Sequence, residues 1–325
     1  MGNLMIGVTL SLYFSVYVLY FLSMLPKKKD LDEKLTAVGK VIAITGAISE
    51  IGKELALQLN IKGGKIYIFC PSAYHTFSLL STFIRSDCEC KRIDFIECDL
   101  TNLSSIKESV KEFKKKEAVL DILINNASIV YYPKFVLTID QCELMWQTNY
   151  LGHFVLTELL TPLLKRSKGG GRIINISSKL ESSCKEIDLK RINSSDYFDE
   201  EEAYKRSKLA QIMHAIEYTR RKRSADPDTK ITINSCEPGI VETNLFRDLM
   251  LEASCINITN LPLSWFFSQT PNDCAQCPLF LALSKKVASI SGKHFVNCSE
   301  KHEINIIASD ANKCSELYDY SMQYI

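Results

Sequence analysis

The chain carries almost no charge imbalance: lysine plus arginine number 39 and aspartate plus glutamate 38 in 325 residues. No field of one sign therefore draws the molecule to nucleic acid. The basic clusters Lys114-Lys115-Lys116 and Arg220-Arg221-Lys222-Arg223 fall late in helix-like segments, where cations complement the helix dipole and face water. Internal repeats and low-complexity tracts are absent, which excludes solenoids and biased disordered chains. So is a disulfide framework: the 12 cysteines are scattered, several inside apolar runs (Cys70, Cys98, Cys236), as befits a reducing compartment. Cys274-Ala-Gln-Cys277 has metal or redox spacing but no second ligand pair, and reads as two small helix residues, so no metal site is expected. Of the six Asn-x-Ser/Thr sequons, those at Asn126 and Asn175 lie in segments that read as buried, where glycosylation and folding are incompatible.

Charge is missing altogether from residues 4–25, an apolar run of 22 residues followed at once by Pro26 and Lys27-Lys28-Lys29. That length spans a bilayer. A basic n-region and a small-residue cleavage site, the marks of a removed signal peptide, are both lacking. The expectation is a single-pass anchor over 1–25 and a charged linker over 26–38. The lysines after the span place the following domain on the cytoplasmic side, and the span length suits the endoplasmic reticulum or a lipid droplet.

What is present from residue 40 onward is alternation. Short apolar runs at 41–44, 65–70, 93–97, 120–124, 172–176 and 232–236 read as strands. Helix-like stretches at 51–62, 75–85 (weaker), 104–115, 141–165 and 202–223 lie between them. Strand and helix in turn imply βαβ units and a doubly wound parallel sheet with helices on both faces, an α/β fold. Ligands of such sheets bind at the carboxyl ends of the strands. Residues 39–300 read as one domain and 301–325 as a tail or edge cover.

Chemistry enters with Tyr204 and Lys208. Four residues apart on a helix, they share a face, so a phenol and an ammonium stand side by side. The ammonium is expected to lower the pKa of the phenol towards neutrality, and a serine at the end of the 172–176 strand to hydrogen-bond the reacting oxygen. The first strand-to-helix turn reads Thr45-Gly46-Ala47-Ile48-Ser49-Glu50-Ile51-Gly52, placed where a helix N-terminus receives a pyrophosphate.

Joined to Asp99-Leu100, Asn125-Asn126-Ala127-Ser128, Asn149, Ser178 and Pro238-Gly239-Ile240-Val241-Glu242-Thr243 in this order, these motifs resemble the short-chain dehydrogenase/reductase family over almost all of residues 40–298. Asn149-Tyr-Leu-Gly-His-Phe154 and Ser291-Gly-Lys-His-Phe-Val-Asn-Cys298 are most similar to its membrane-anchored retinol dehydrogenase branch, X-linked dehydrogenase/reductase relatives included. The resemblance implies a Rossmann-like fold and hydride transfer between a nicotinamide nucleotide and a carbonyl or alcohol. It makes Tyr204 the general acid/base, Lys208 the holder of the nicotinamide ribose, Ser178 the orienter of the substrate oxygen, and Asn149 the anchor of a proton-relay water. It assigns the nucleotide to Gly46, Ser49, Glu50, Ile51, Gly52, Asp99, Leu100, Asn126, Ala127, Tyr204, Lys208, Pro238, Gly239, Val241 and Thr243.

Three positions depart from that pattern. Glu50 replaces the family's middle glycine and sets a carboxylate beside the expected pyrophosphate, where it either competes for the helix N-terminus or swings to solvent. Pro71 and Ser72 stand after the second strand, where an arginine would select NADP(H) and an acid NAD(H). Branch resemblance and Lys53 lean to NADP(H). Ser128 replaces a glycine. After Thr243 the apolar stretch 245–267 matches the segment that closes over substrate in the family, which fits a lipophilic alcohol, aldehyde or ketone of retinoid, steroid or polyprenoid type. The other reading from Glu50 is a non-catalytic binding or scaffold protein on the same fold. Oligomeric state is not legible.

Overall fold

The computed structural model describes residues 34–72, 83, 89–239 and 270–325. Outside them lie the expected span at 4–25, the weak helix at 75–85 apart from Phe83, the expected ligands Val241 and Thr243, and the apolar stretch 245–267. Among the described residues no helix is long and apolar enough to cross a membrane.

Eight strands form one sheet: β1 (Val41–Thr45), β2 (Lys65–Cys70), β3 (Ile93–Glu97), β4 (Ile122–Asn125), β5 (Arg172–Ile176), β6 (Thr232–Glu237), β7 (His294–Val296) and β8 (Ser299–Glu300), in the order β3-β2-β1-β4-β5-β6-β7-β8. All pairings are parallel except β7 with β8. The central strands β1, β2 and β4 are mostly apolar because both faces are covered, and successive side chains serve opposite cores. Ile42, Ile44, Ile66, Ile68, Ile122 and Ile124 enter one cluster, while Ala43, Tyr67, Phe69 and Leu123 enter the other.

On the first face lie α1 (Glu50–Ile61) and, much later in the sequence, α6 (Pro271–Leu283), whose Leu279 and Phe280 join Leu55 and Leu59. On the second face lie α2 (Leu103–Lys116), α3 (Leu144–Trp146), α4 (Gly152–Leu164) and α5 (Glu200–Ala225), closed over by α7 (Ile306–Ser309) and α8 (Ala311–Met322). Cys274 and Cys277 are buried one turn apart inside α6.

Two expectations need correcting here. The stretch 141–165 is helical only from Leu144 to Leu164, with continuous right-handed helical backbone through a π turn. Gln141 sits in a turn with φ of 59°, and the Glu143 carboxylate caps the start of α3 by accepting from Met145 N (3.0 Å) and Trp146 N (2.7 Å). The π turn, at Gln147–Leu151, joins α3 to α4. The cations at 220–223 also do more than face water. Arg220 and Arg221 hold the buried Glu217 carboxylate at 2.6 and 2.7 Å, and Arg221 reaches Asp319 of α8 at 2.7 Å. Residues 311–322 thereby contribute to the core: Leu317 and Tyr318 are buried, with the Tyr318 ring edge-on to Phe154 at 5.0 Å.

Candidate active site

The site follows from strand order. β1 and β4 are neighbours, but the chain runs from β1 to β2 and β3 on one side and from β4 to β5 and β6 on the other, so a crevice opens at their carboxyl ends. There Gly46 (φ 67°) faces Ala127. A Cβ on Gly46 would stand 2.5 Å from the Ala127 Cα, and one on Gly52 would stand 2.3 Å from the Gly46 carbonyl oxygen. Both positions demand glycine for packing, and Gly46 for its backbone as well. A cavity of about 300 Å³ opens beside them, lined by Gly46, Ser49, Pro71, Asp99, Leu100, Ala127 and Ser128 among others. It brings together residues from the ends of β1, β2, β3 and β4, the set a dinucleotide needs, and the tightly packed glycine turn fits the pyrophosphate of a nicotinamide nucleotide. Ile51, Asn126, Pro238 and Gly239 are not among its lining residues. Asn126 instead locks the turn: its Nδ2 donates to Thr45 O (3.1 Å), Gly46 O (2.9 Å) and Ser49 Oγ (3.2 Å).

Ser49, not Glu50, satisfies the first turn of α1. Its hydroxyl accepts from Gly52 N at 3.1 Å, as an N-cap serine does. The Glu50 carboxylate turns outward to Lys53 Nζ at 3.3 Å and is about half exposed. That pairing also engages the cation that leaned towards NADP(H).

The Thr45 hydroxyl organises the floor of the crevice. It accepts from Asn126 N and Ala127 N, both at 3.0 Å, which uses its lone pairs. Its proton therefore goes to His153 Nε2 at 2.8 Å, and His153 carries its own proton on Nδ1, directed to Asn149 O at 3.0 Å. Gln211 Nε2 donates to the same carbonyl. The Asn149 side chain accepts from Ile129 N (2.7 Å) and donates to Ile129 O (2.9 Å) and Ser207 Oγ (3.0 Å). Carbonyl and amide are both spoken for by protein groups, and Asn149 clamps the chain after β4 to α5.

Three buried imidazoles surround this floor and the neighbouring core. Burial pushes His153 down to about 4, His214 to about 3 and His294 to about 4. Each is neutral when folded, yet an unfolded chain protonates them near their ordinary value. Between roughly pH 6.5 and 4 the unfolded state binds more protons, so stability rises with pH there and is lost as pH falls. We expect urea unfolding at pH 4.5 to show a loss of roughly 2 kcal/mol per histidine against pH 7, reduced in slope by His214→Phe. A midpoint that stays flat between pH 7 and 4.5 contradicts this.

Ser178, Tyr204 and Lys208 meet on the β5 side of the crevice. Ser178 ends the β5 strand path and caps the turn Lys179–Ser183, its hydroxyl accepting from Leu180 N at 3.4 Å. Ser177 points inward, donating to Lys208 O at 2.9 Å. Tyr204 is 7% exposed, its ring 5.4 Å from that of Tyr131, and the Ser178 and Ser128 hydroxyls each pull its pKa down. The Lys208 ammonium donates to Ile176 O at 3.0 Å and lies 5.6 Å from the Tyr204 ring centroid.

The expected lowering of the phenol is not what this arrangement gives. Burial pushes Tyr204 up to about 12, against a smaller downward pull from the two serines. Burial likewise lowers Lys208 to about 7. Helical spacing put the two residues on one face, but the lysine stem turns its charge to a strand carbonyl instead of the phenol oxygen. At neutral pH Tyr204 keeps its proton, the form that can protonate a carbonyl oxygen. Ser128 escaped the sequence reading as a group of the site, because a residue following Asn-Asn-Ala gave no sign that its hydroxyl reaches across to α5.

Comparison with known proteins agrees with this geometry. The profile of the short chain dehydrogenase family matches residues 40–253. Human retinol dehydrogenase 14 is 35% identical over 295 residues, covering 87% of this chain and 85% of its own. Human retinol dehydrogenase 13 is 34% identical over 270 residues, covering 82% and 79%. A crystal structure of an uncharacterized protein from Mycobacterium paratuberculosis superposes with a TM-score of 0.69 at 25% identity, covering 90% of this chain and 95% of that one. A crevice built at the β1/β4 reversal, a serine, tyrosine and lysine beside it, and similarity over most of the chain's length agree: the chain belongs to the short-chain dehydrogenase family, in its retinol dehydrogenase branch, and is an NAD(P)-dependent oxidoreductase.

Proposed function

We propose that the chain transfers hydride between NADP(H), in preference to NAD(H), and a carbonyl or alcohol of a lipophilic substrate of retinoid, steroid or polyprenoid type. The observation that carries the reading is the meeting of Ser178, Tyr204 and Lys208 at the carboxyl edge of the sheet, beside the cavity floored by the Gly46 turn. Bound there, the nucleotide supplies the hydride. Gly46, Ser49, Asp99, Leu100 and Ala127 would hold it, Ser178 orients the substrate oxygen, and Tyr204 exchanges the proton on that oxygen. Lys208, buried beside the phenol with its ammonium on the Ile176 carbonyl, would hold the nicotinamide ribose. Lipophilicity is supported by the names of the relatives and by the apolar run 245–267. In this reading residues 4–25 anchor the chain in the endoplasmic reticulum or lipid-droplet membrane with the domain on the cytoplasmic side.

Fluorescence titration of the full chain in detergent with NADPH and NADH, followed by turnover with a panel of lipophilic aldehydes, tests the proposal. We expect saturable binding, tighter for NADPH, and a gain of roughly fivefold at most from Glu50→Gly, the size of one charge at a helix N-terminus. Nucleotide binding and turnover that appear only in Glu50→Gly would support the scaffold reading instead. The outward Glu50–Lys53 pair argues against that outcome.

A further inference from the structure

The turn that carries Ser178 is held from the far end of the chain. After the β7–β8 hairpin, Lys301 pairs with the sheet edge through its N–H on His294 O (2.8 Å), and its ammonium reaches the fully buried Glu181 carboxylate at 3.2 Å. Four residues on, Asn305 is 7% exposed and points its Nδ2 at Glu181 O (3.0 Å) and Cys184 O (3.0 Å), with Ser182 O at 3.4 Å. Its Oδ1 accepts from Ile307 N at 2.9 Å and so starts α7. Within the turn, Glu181 N donates to Ser178 O (3.2 Å) and Cys184 N to Glu181 O (3.1 Å). With the Asn305 amide added, both lone pairs of the Glu181 carbonyl are used.

A five-residue 3-10 turn has poor internal hydrogen bonding and does not fix itself. Its side-chain end is tied by Lys301 and its carbonyl end by Asn305, while α7 and α8 are buried against α5. We infer that Asn305 is a positioning residue for Ser178, so that residues 301–305 act as a strap fixing the serine turn against the Tyr204 helix. The inference rests on the role given to Ser178 above.

Asn305→Ser separates this role from helix capping. Serine is as good an N-cap for α7, but its hydroxyl is too short to reach the two carbonyls. We expect kcat with NADPH and a lipophilic aldehyde to fall roughly tenfold or more, as for a misplaced catalytic group, with nucleotide affinity and Tm near those of the unaltered chain. Lys301→Gln, which loosens the turn from its other end, should shift kcat in the same sense. Amide hydrogen exchange should quicken at residues 178–184 and stay unchanged at 45–52, a readout independent of turnover. The inference is overturned if exchange at 178–184 is unaltered, if kcat stays within twofold, or if kcat, nucleotide affinity and Tm all decline together. Absence of turnover in the unaltered chain counts against the proposed function instead, and leaves the exchange measurement to decide the strap.

Discussion

Tyr204→Phe is expected to lower kcat by roughly 10²–10⁴-fold, the usual worth of a positioned general acid, while nucleotide affinity stays as it was. The substitution removes one oxygen. The ring keeps its contact with Tyr131 at 5.4 Å, so little of the packing is at stake. What disappears is the phenol that the Ser178 and Ser128 hydroxyls act on, and with it the proton that a carbonyl oxygen would take at neutral pH. Single-turnover reduction of an aldehyde by bound NADPH measures the step directly. A phenylalanine variant that keeps more than about a tenth of the rate would remove Tyr204 from the chemistry.

The second large effect has two opposite parts. Lys208→Met should weaken nucleotide binding and at the same time stabilise the fold. Lys208 is 2% exposed, and among the described residues the one hydrogen-bond acceptor for its ammonium is the Ile176 carbonyl. Burial has lowered it to about 7. Between that value and the ordinary lysine value the unfolded chain holds a proton that the folded chain lacks, so the contribution of this group to stability rises with pH across the interval and is least favourable at pH 7 and below. Replacing it with an apolar residue of similar length should gain on the order of 1–4 kcal/mol near pH 7, and the gain should shrink towards pH 10. Tm measured for both proteins at pH 7 and pH 9.5 checks the sign. A variant less stable at pH 7, or a difference that grows with pH, contradicts the account. Stability lost at a catalytic group is a common trade-off in enzymes.

Legibility in the sequence followed burial. Strands covered on both faces carry short apolar runs, and six of them could be placed to within a residue or two because those runs alternate with helix-like stretches. β7 and β8, three and two residues long, are too short to show a period. The π turn at Gln147–Leu151 was hidden because apolar spacing runs on through it; Asn149, inside it, bonds Ile129, a contact between residues distant in sequence. The segment Ala311–Met322 is polar enough to read as a tail, yet Cys314, Leu317, Tyr318 and Ser321 fall on one buried stripe. In the site, residue identities were readable and their electrostatics were not. Helical spacing brings Lys208 beside Tyr204, but a four-carbon stem and the depth of the pocket decide where the charge goes.

The contact between Gly46 and Ala127 has a consequence for how the molecule is made. β1 meets β4 only after the chain has travelled far: Val41 N bonds the Asp121 carboxylate 80 positions on, at 2.9 Å. A nascent chain emerging as far as α2 already owns the glycine turn but has nothing to close it against. Pairing of segments so distant is the slow part of assembling such a sheet, because closure entropy is spent before the contact rewards it. The nucleotide crevice is therefore a property of the joined halves, and no fragment ending before residue 122 can contain it.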